Sequence, residues 1–130
     1  MRRGPRHDLR GSLQSEVMQI VWRLGEATVD DVRAAQPDSR RLAYTTVQTV
    51  LNRLEDRGLL ERERRGKAFV YRAAYKEPEL LARSIGDRLA DASSDTRKAA
   101  LLSLVDGLEP DELDEVARYA NRVRRERKGG

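Results

Sequence analysis

Between Leu42 and Leu60 the chain gathers Thr45, Thr46, Gln48, Thr49, Asn52 and Arg53, side chains whose chemistry is hydrogen bonding to flat partners seen edge-on. Threonine brings a hydroxyl and a methyl, an amide both donates and accepts, and a guanidinium donates in parallel pairs. That mixture suits the reading of base edges in a major groove. Val47, Val50, Leu51 and Leu54 recur at i, i+3, i+4 and i+7, the period of a helix burying one face. Thr45, Thr49 and Asn52 then fall on the opposite face, flanked by Thr46, Gln48 and Arg53. A solvated face without a task would favour Glu and Lys over three threonines, which are β-branched and poorer helix formers. Gly58 follows where a helix C′ glycine belongs. The spacing predicts a recognition helix.

A second cationic element adjoins it. Leu59 to Arg65 can run as a strand, Gly66-Lys67 can turn, and Ala68 to Arg72 can return. Alternation sends Phe69 and Tyr71 to one face and Ala68, Val70 and Arg72 to the other. Arg64, Arg65 and Lys67 crowd the tip, where cations can meet backbone phosphates without reading sequence. Such a hairpin is a wing.

Two elements must hold this helix in place. Ser12 is a candidate N-cap for a first helix with Leu13, Val17, Ile20, Val21 and Leu24 on one stripe, Trp22 at its edge and Gly25 at its end. Thr28 with Asp31 resembles a capping box that opens a short second helix, with Val29, Val32 and Ala35 inward. Pro37 breaks it, and a basic turn at Arg40-Arg41 leads into the threonine-rich helix. Helix, short helix, longer helix and hairpin is the order of a winged helix-turn-helix.

After Tyr75 the composition turns wholly helical. Pro78 suits the first turn of a new helix, and Leu81, Ile85 and Leu89 follow at i, i+4 and i+8. Ala99, Leu102 and Val105 share a face that Leu101, Leu104 and Leu108 widen. Leu113, Val116, Ala117, Ala120 and Val123 form a last stripe behind Pro110. Three short amphipathic helices cannot bury three apolar faces on a small hairpin domain, so a second copy of the chain is the expected partner. The fold class expected is mainly α with a small β-hairpin wing. Residues 1–9 form a basic arm, 10–75 the winged helix-turn-helix domain, 76–125 a helical dimerisation region and 126–130 a basic tail.

Other chemistries find little support. His7 is the one histidine and lies in the arginine-rich arm, where a base would have no fixed geometry. Without cysteine there are no disulfides or thiolate metal sites, and no metal or other cofactor is expected. Asp111, Glu112, Asp114 and Glu115 complement a helix macrodipole at its N-terminus. No phosphate-binding glycine loop and no nucleophile with a base occur, so an enzyme is not expected. The net charge of +4 is a local excess, since 26 basic residues stand against 22 acidic ones, and it points to an anionic partner. Aromatics at 5% argue against stacking on single strands. No apolar run approaches the ~20 residues of a membrane helix, and the N-terminal arginines precede no apolar signal segment. A cytoplasmic protein without membrane insertion is expected.

The runs Val17-Met18-Gln19-Ile20-Val21-Trp22, Ala43 to Leu54 and Arg57-Gly58-Leu59-Leu60, with Tyr71, resemble the penicillinase-repressor family of bacteria (BlaI/MecI type) over about residues 10 to 125. The Tyr-Thr-Thr-Val-x-Thr-x-Leu-x-Arg-Leu core is specific. The resemblance implies a cytoplasmic homodimeric repressor binding a palindromic double-stranded operator, with Thr45, Thr46, Gln48, Thr49 and Arg53 at groove- and phosphate-facing positions. It implies dimerisation through the C-terminal helices, for which Leu81, Ile85, Leu89, Leu102, Val105, Leu113, Val116 and Ala120 are the candidates. It also implies relief by a membrane sensor-protease system that triggers cleavage in the dimerisation region. The matching stretch is Leu102 to Val105, with Ser103 and Leu104 at its centre, and it lacks the family's usual Asn-Phe bond. The cysteine pairs of the copper-responsive branch are absent, so copper sensing is not expected. A rival reading is a winged-helix protein-interaction module in a larger assembly, whose third helix would carry an apolar outer face.

Overall fold

The computed structural model describes residues 12–129. The basic arm over residues 1–9, with His7, and the side-chain cap expected of Ser12 lie outside the described residues. The element order is α1 (Ser12–Leu24), β1 (Glu26–Ala27), α2 (Val29–Ala35), a 3-10 turn (Asp38–Arg40), α3 (Tyr44–Asp56), β2 (Leu60–Arg65), β3 (Ala68–Ala73), α4 (Glu77–Asp91), α5 (Ser94–Asp106) and α6 (Pro110–Gly129). Close packing divides the chain inside α4, with one compact unit up to Arg88 and another from Leu89.

The first unit is a mainly α winged helix-turn-helix. Its core takes Val17, Met18, Ile20 and Val21 from α1, Val29 and Val32 from α2, and Val47, Val50, Leu51 and Leu54 from α3. Each such side chain contributes ~1.5–3 kcal/mol by leaving water. Leu24, expected on the α1 stripe, is 44% exposed, and Met18 fills the core instead. Thr28 and Asp31 close the capping box as expected: Thr28 Oγ1 accepts from the Asp31 amide and Asp31 Oδ2 from the Thr28 amide. Trp22 is half-buried, and its indole N–H donates to the Tyr75 carbonyl at 2.9 Å. Leu80 of α4 is also buried in this core, and Gln19 Nε2 donates to Glu77 Oε2, so the first turn of α4 packs with α1.

The sheet has three strands in the order β1-β3-β2, all antiparallel. The hairpin runs as expected, with Gly66 at its turn in the left-handed region (φ 62) that glycine adopts without strain. β1 is an addition to the expected architecture. Gly25 at φ 85 releases the chain from α1, and Glu26–Ala27 pair with Arg72 and Tyr71 of β3. Two residues are too short to leave an alternation signal.

In the second unit no residue of α5 or α6 is buried. Ser93 caps α5 by accepting from the Thr96 amide, and Glu112 accepts from the Glu109 amide ahead of α6. The apolar residues of α5 spread around the helix: Leu101, Leu102, Leu104 and Val105 are all exposed. α6 runs on to Gly129, through the residues expected to form a basic tail.

Candidate nucleic-acid interface

The start of α3 is set by the connection that precedes it. Gln36 is buried to 2% exposure; its Oε1 accepts from the Leu42 amide at 3.1 Å and its Nε2 donates to Glu16 Oε2 at 3.3 Å. Arg33 Nε donates to the Leu42 carbonyl, and Arg41 reaches back to the carbonyls of Arg33 and Gln36. Three side chains thus hold the loop between α2 and α3. A buried amide without partners would cost ~1–3 kcal/mol, so Gln36 also specifies the loop path. No sequence pattern distinguishes such an amide from a solvated one.

On α3 itself, Thr45, Thr46, Gln48, Thr49 and Arg53 are all exposed, and the four apolar residues of the stripe are buried. The helix therefore presents the expected hydrogen-bonding face outward. Thr49 Oγ1 donates to the Thr45 carbonyl at 2.9 Å, which engages the hydroxyl proton of an exposed side chain. Ala43 stands at the N-cap and supplies no side-chain hydrogen bond. Tyr44, the first helical residue, is 45% exposed on the same end of the helix, a position the apolar period gave no reason to single out.

Asn52 departs from the expected base-reading face. It is half-buried, and its Oδ1 accepts from both the Tyr71 hydroxyl (2.6 Å) and Arg62 Nη1 (2.8 Å).

The wing has two chemically distinct faces. Register sets Arg62 opposite Tyr71 and Arg64 opposite Phe69 on one of them. There the guanidiniums of Arg62 and Arg64 lie over the Phe69 ring, 4.4 and 5.3 Å from its centroid. The other face carries Glu61, Glu63, Arg65 and Arg72 with Glu26 from β1. Arg65 bonds Glu26 and Glu63 at 2.6–3.1 Å, and Arg72 lies 3.6–3.7 Å from Glu63 and Glu61. The Arg65 hydrogen bond, opposed by desolvation and helped by the charges of Arg65 and Arg72, holds the Glu26 carboxyl below the ordinary glutamate range. The same Arg65 hydrogen bond and charge lower that of Glu63. Val70 is buried on this face, apart from the main core.

Of the three expected tip cations, Arg65 is thus saturated by carboxylates. Arg64 and Lys67 form no ion pair among the described residues and are exposed. The candidate dimerisation residues Leu81, Ile85, Leu102, Val105, Leu113 and Val116 are 40–62% exposed; Ala120 is exposed and Leu89 half-buried. Ser103 and Leu104 sit in the interior of α5, both exposed. Among the described residues no His, Cys, Asp or Glu cluster could hold a metal ion, and no helix is long and apolar enough to cross a membrane.

A helix-turn-helix with a hairpin wing, a polar hydrogen-bonding face on the helix after the turn and exposed cations beside it is a winged-helix DNA-binding domain. The chain belongs to the penicillinase repressor family, whose model matches residues 10–122, and is a transcriptional repressor of the BlaI type. It is 39% identical over 110 residues to the transcriptional regulator BlaI of Mycobacterium tuberculosis, an alignment spanning 83% of this chain and 80% of that one. Among solved structures it is similar to the DNA-binding domain of the repressor BlaI (26% identity, 59% of this chain and 90% of that one, TM-score 0.48). It is also similar to the CopR repressor (38% identity, 51% and 93%, TM-score 0.44).

Proposed function

We propose that the chain is a cytoplasmic homodimeric repressor that occupies a palindromic operator, α3 lying in the major groove and the wing on the flanking phosphates. One observation carries the reading: Thr45, Thr46, Gln48, Thr49 and Arg53 stand exposed on one helix, next to a wing whose Arg64 and Lys67 have no carboxylate partner among the described residues. Base-edge contacts from the threonines and Gln48 supply discrimination, and Arg53, Arg64 and Lys67 supply charge-driven affinity. The absence of a capping side chain at Ala43 leaves the first N–H groups of α3 open to a backbone phosphate.

The exposed leucines and valines of α4, α5 and α6 support dimerisation. Scattered exposed apolar residues are ordinary, but exposed apolar residues on three consecutive helices, with nothing buried in α5 or α6, need a partner. Coupling two winged domains multiplies an affinity that a few phosphate contacts alone leave weak at physiological salt. Such a repressor acts by occupancy and needs no catalytic group.

Relief by proteolysis is the finer part of the proposal. Ser103 and Leu104 present exposed side chains, but their backbone is helical, so cleavage there requires α5 to open locally before a protease takes the strand. A membrane sensor-protease system acting there would release the dimer.

The test is selection of duplexes from a random-sequence pool by the full chain, followed by footprinting and sedimentation of the complex. A two-fold symmetric site bound by two chains is the expected result. Enrichment of an asymmetric site by a single chain overturns the dimeric half of the reading, and no enrichment overturns the whole.

A further inference from the structure

Asn52 ties the reading helix to the wing. Its Oδ1 accepts from the Tyr71 hydroxyl at 2.6 Å and from Arg62 Nη1 at 2.8 Å, and those two residues face each other across β3 and β2. One side chain of α3 therefore holds both strands of the hairpin. Arg62 is fixed further by the Phe69 ring, 4.4 Å from its centroid, and by Glu55 at 4.0 Å. Arg62 determines how the amide is turned, because a guanidinium only donates and the reverse orientation would set the NH2 group against it. An asparagine that reads adenine uses both ends of its amide. Here the acceptor end is occupied from within.

We propose that Asn52 is a positioning residue that sets the wing at a fixed angle to α3, so that base reading and phosphate contact happen in one docking geometry. This rests on the DNA-binding reading above. The lever arm explains why a clamp is needed. From the Arg62–Tyr71 pair to the tip is three residue pairs, roughly 10 Å at ~3.3 Å per residue. A tilt of about 15° at the base moves the tip by ~2.6 Å, which exceeds the range over which a hydrogen bond to a phosphate survives. An isolated hairpin is marginally stable and would sample such tilts. The brace from Arg65 to Glu26 secures the far face, and Asn52 secures the face toward α3.

Tyr71 separates this role from base reading, because at 1% exposure it cannot touch DNA. The experiment compares full-length Asn52→Ala, Tyr71→Phe and the tip variant Arg64→Ala/Lys67→Ala, using the duplex that the wild-type chain enriches from a random pool. Asn52→Ala and Tyr71→Phe are expected to weaken binding several-fold. They should flatten the salt dependence by about 0.9 for each phosphate that the wing no longer neutralises, as the tip variant does. Their single-base preference profile should stay that of the wild type, and combining either with the tip variant should add little. A changed preference at one base pair in Asn52→Ala, absent from Tyr71→Phe, overturns the proposal and makes Asn52 a reader. Unchanged binding in both variants overturns it too. Amide exchange on the free proteins is the second readout, with faster exchange expected across Glu63 to Tyr71 and none gained in α3. Unchanged wing protection overturns the clamp even if the wild-type chain binds no DNA, an outcome that would sink the DNA-binding reading by itself. Should Asn52→Ala fail to fold, Tyr71→Phe, which deletes one hydroxyl, carries the same comparisons.

Discussion

Arg64 and Arg65 are neighbours in sequence and stand on opposite faces of the wing with opposite electrostatic surroundings. Arg64 lies over Phe69 with no carboxylate partner among the described residues, whereas Arg65 is held by Glu26 and Glu63. The strand period of two produces this separation. A cation already neutralised within the protein releases few counterions from DNA, and one presented free releases nearly its full share.

Replacing Arg64 or Lys67 by Ala is therefore expected to lower the slope of log affinity against log salt by about 0.9 per phosphate, with no change in sequence preference. Arg65→Ala should raise amide exchange in β1 but leave that slope nearly intact, because Asn52 still ties both strands of the wing to α3. Titrations at several salt concentrations check this. An Arg65→Ala slope change as large as that of Arg64→Ala would show that the brace opens on DNA.

The brace also has a pH signature. Glu26 and Glu63 have carboxyls held below their ordinary value by Arg65, so the folded state favours their ionised forms. Their contribution is present above the ordinary glutamate range and is lost as pH falls through the lowered values in the fold. Both groups are solvent-exposed and the effect on global stability should be small. The side-chain carboxyl NMR shifts of Glu26 and Glu63 should titrate below the ordinary glutamate range, and Arg65→Ala should return both toward it. Unmoved titrations in that variant would dismiss the brace.

Thr49→Ala should fold normally, since alanine is the better helix former and the position is exposed. Its loss should appear as ~1–3 kcal/mol of discrimination at one base pair in each half-site, with most non-specific affinity retained. With the hydroxyl proton donated to Thr45, the contact expected is the threonine methyl on a thymine methyl, or its oxygen accepting from a base amine. Binding to single-base operator variants decides. A preference profile identical to the wild type removes Thr49 from the reading surface.

Truncation after Arg88 should yield a folded winged domain, because Leu80 and the Tyr75 carbonyl bonded by Trp22 are kept. That fragment should be monomeric by sedimentation and bind operator much more weakly. Within the full chain, Leu102→Asp should dissociate the dimer at little cost to folding, since Leu102 is 62% exposed in the single chain. A dimeric fragment would place the interface before Leu89, on the wing domain or on the exposed Leu81 and Ile85 of α4, and not on α5 and α6.

The helices of the winged unit were legible in the order of residues because each buries one stripe against the others. Val47, Val50, Leu51 and Leu54 announce α3 and, by exclusion, its outward face; the Thr28–Asp31 box and Gly58 announce ends through local hydrogen bonding and backbone freedom. Such signals act within a few residues, and sequence spacing encodes them directly. The hairpin was legible for the same reason, with period two and a glycine turn.

What tertiary structure decided are the pairings between residues far apart in the chain. Nothing near Asn52 marks it as the acceptor for Tyr71 and Arg62, so its polar character and its spacing from Thr45 and Thr49 placed it with the readers. Glu26 meets Arg65 only because β1 joins the sheet beside β3, 39 residues away in sequence from its partner. Charge and hydrogen-bonding capacity are properties of a residue type, but whether a group is spent inside the fold or left for a ligand depends on which partners packing brings within about 3 Å. Residue types and their spacing therefore pointed to a third helix with a polar outer face and to a basic wing, and three-dimensional packing separated the free side chains from those that hold the frame.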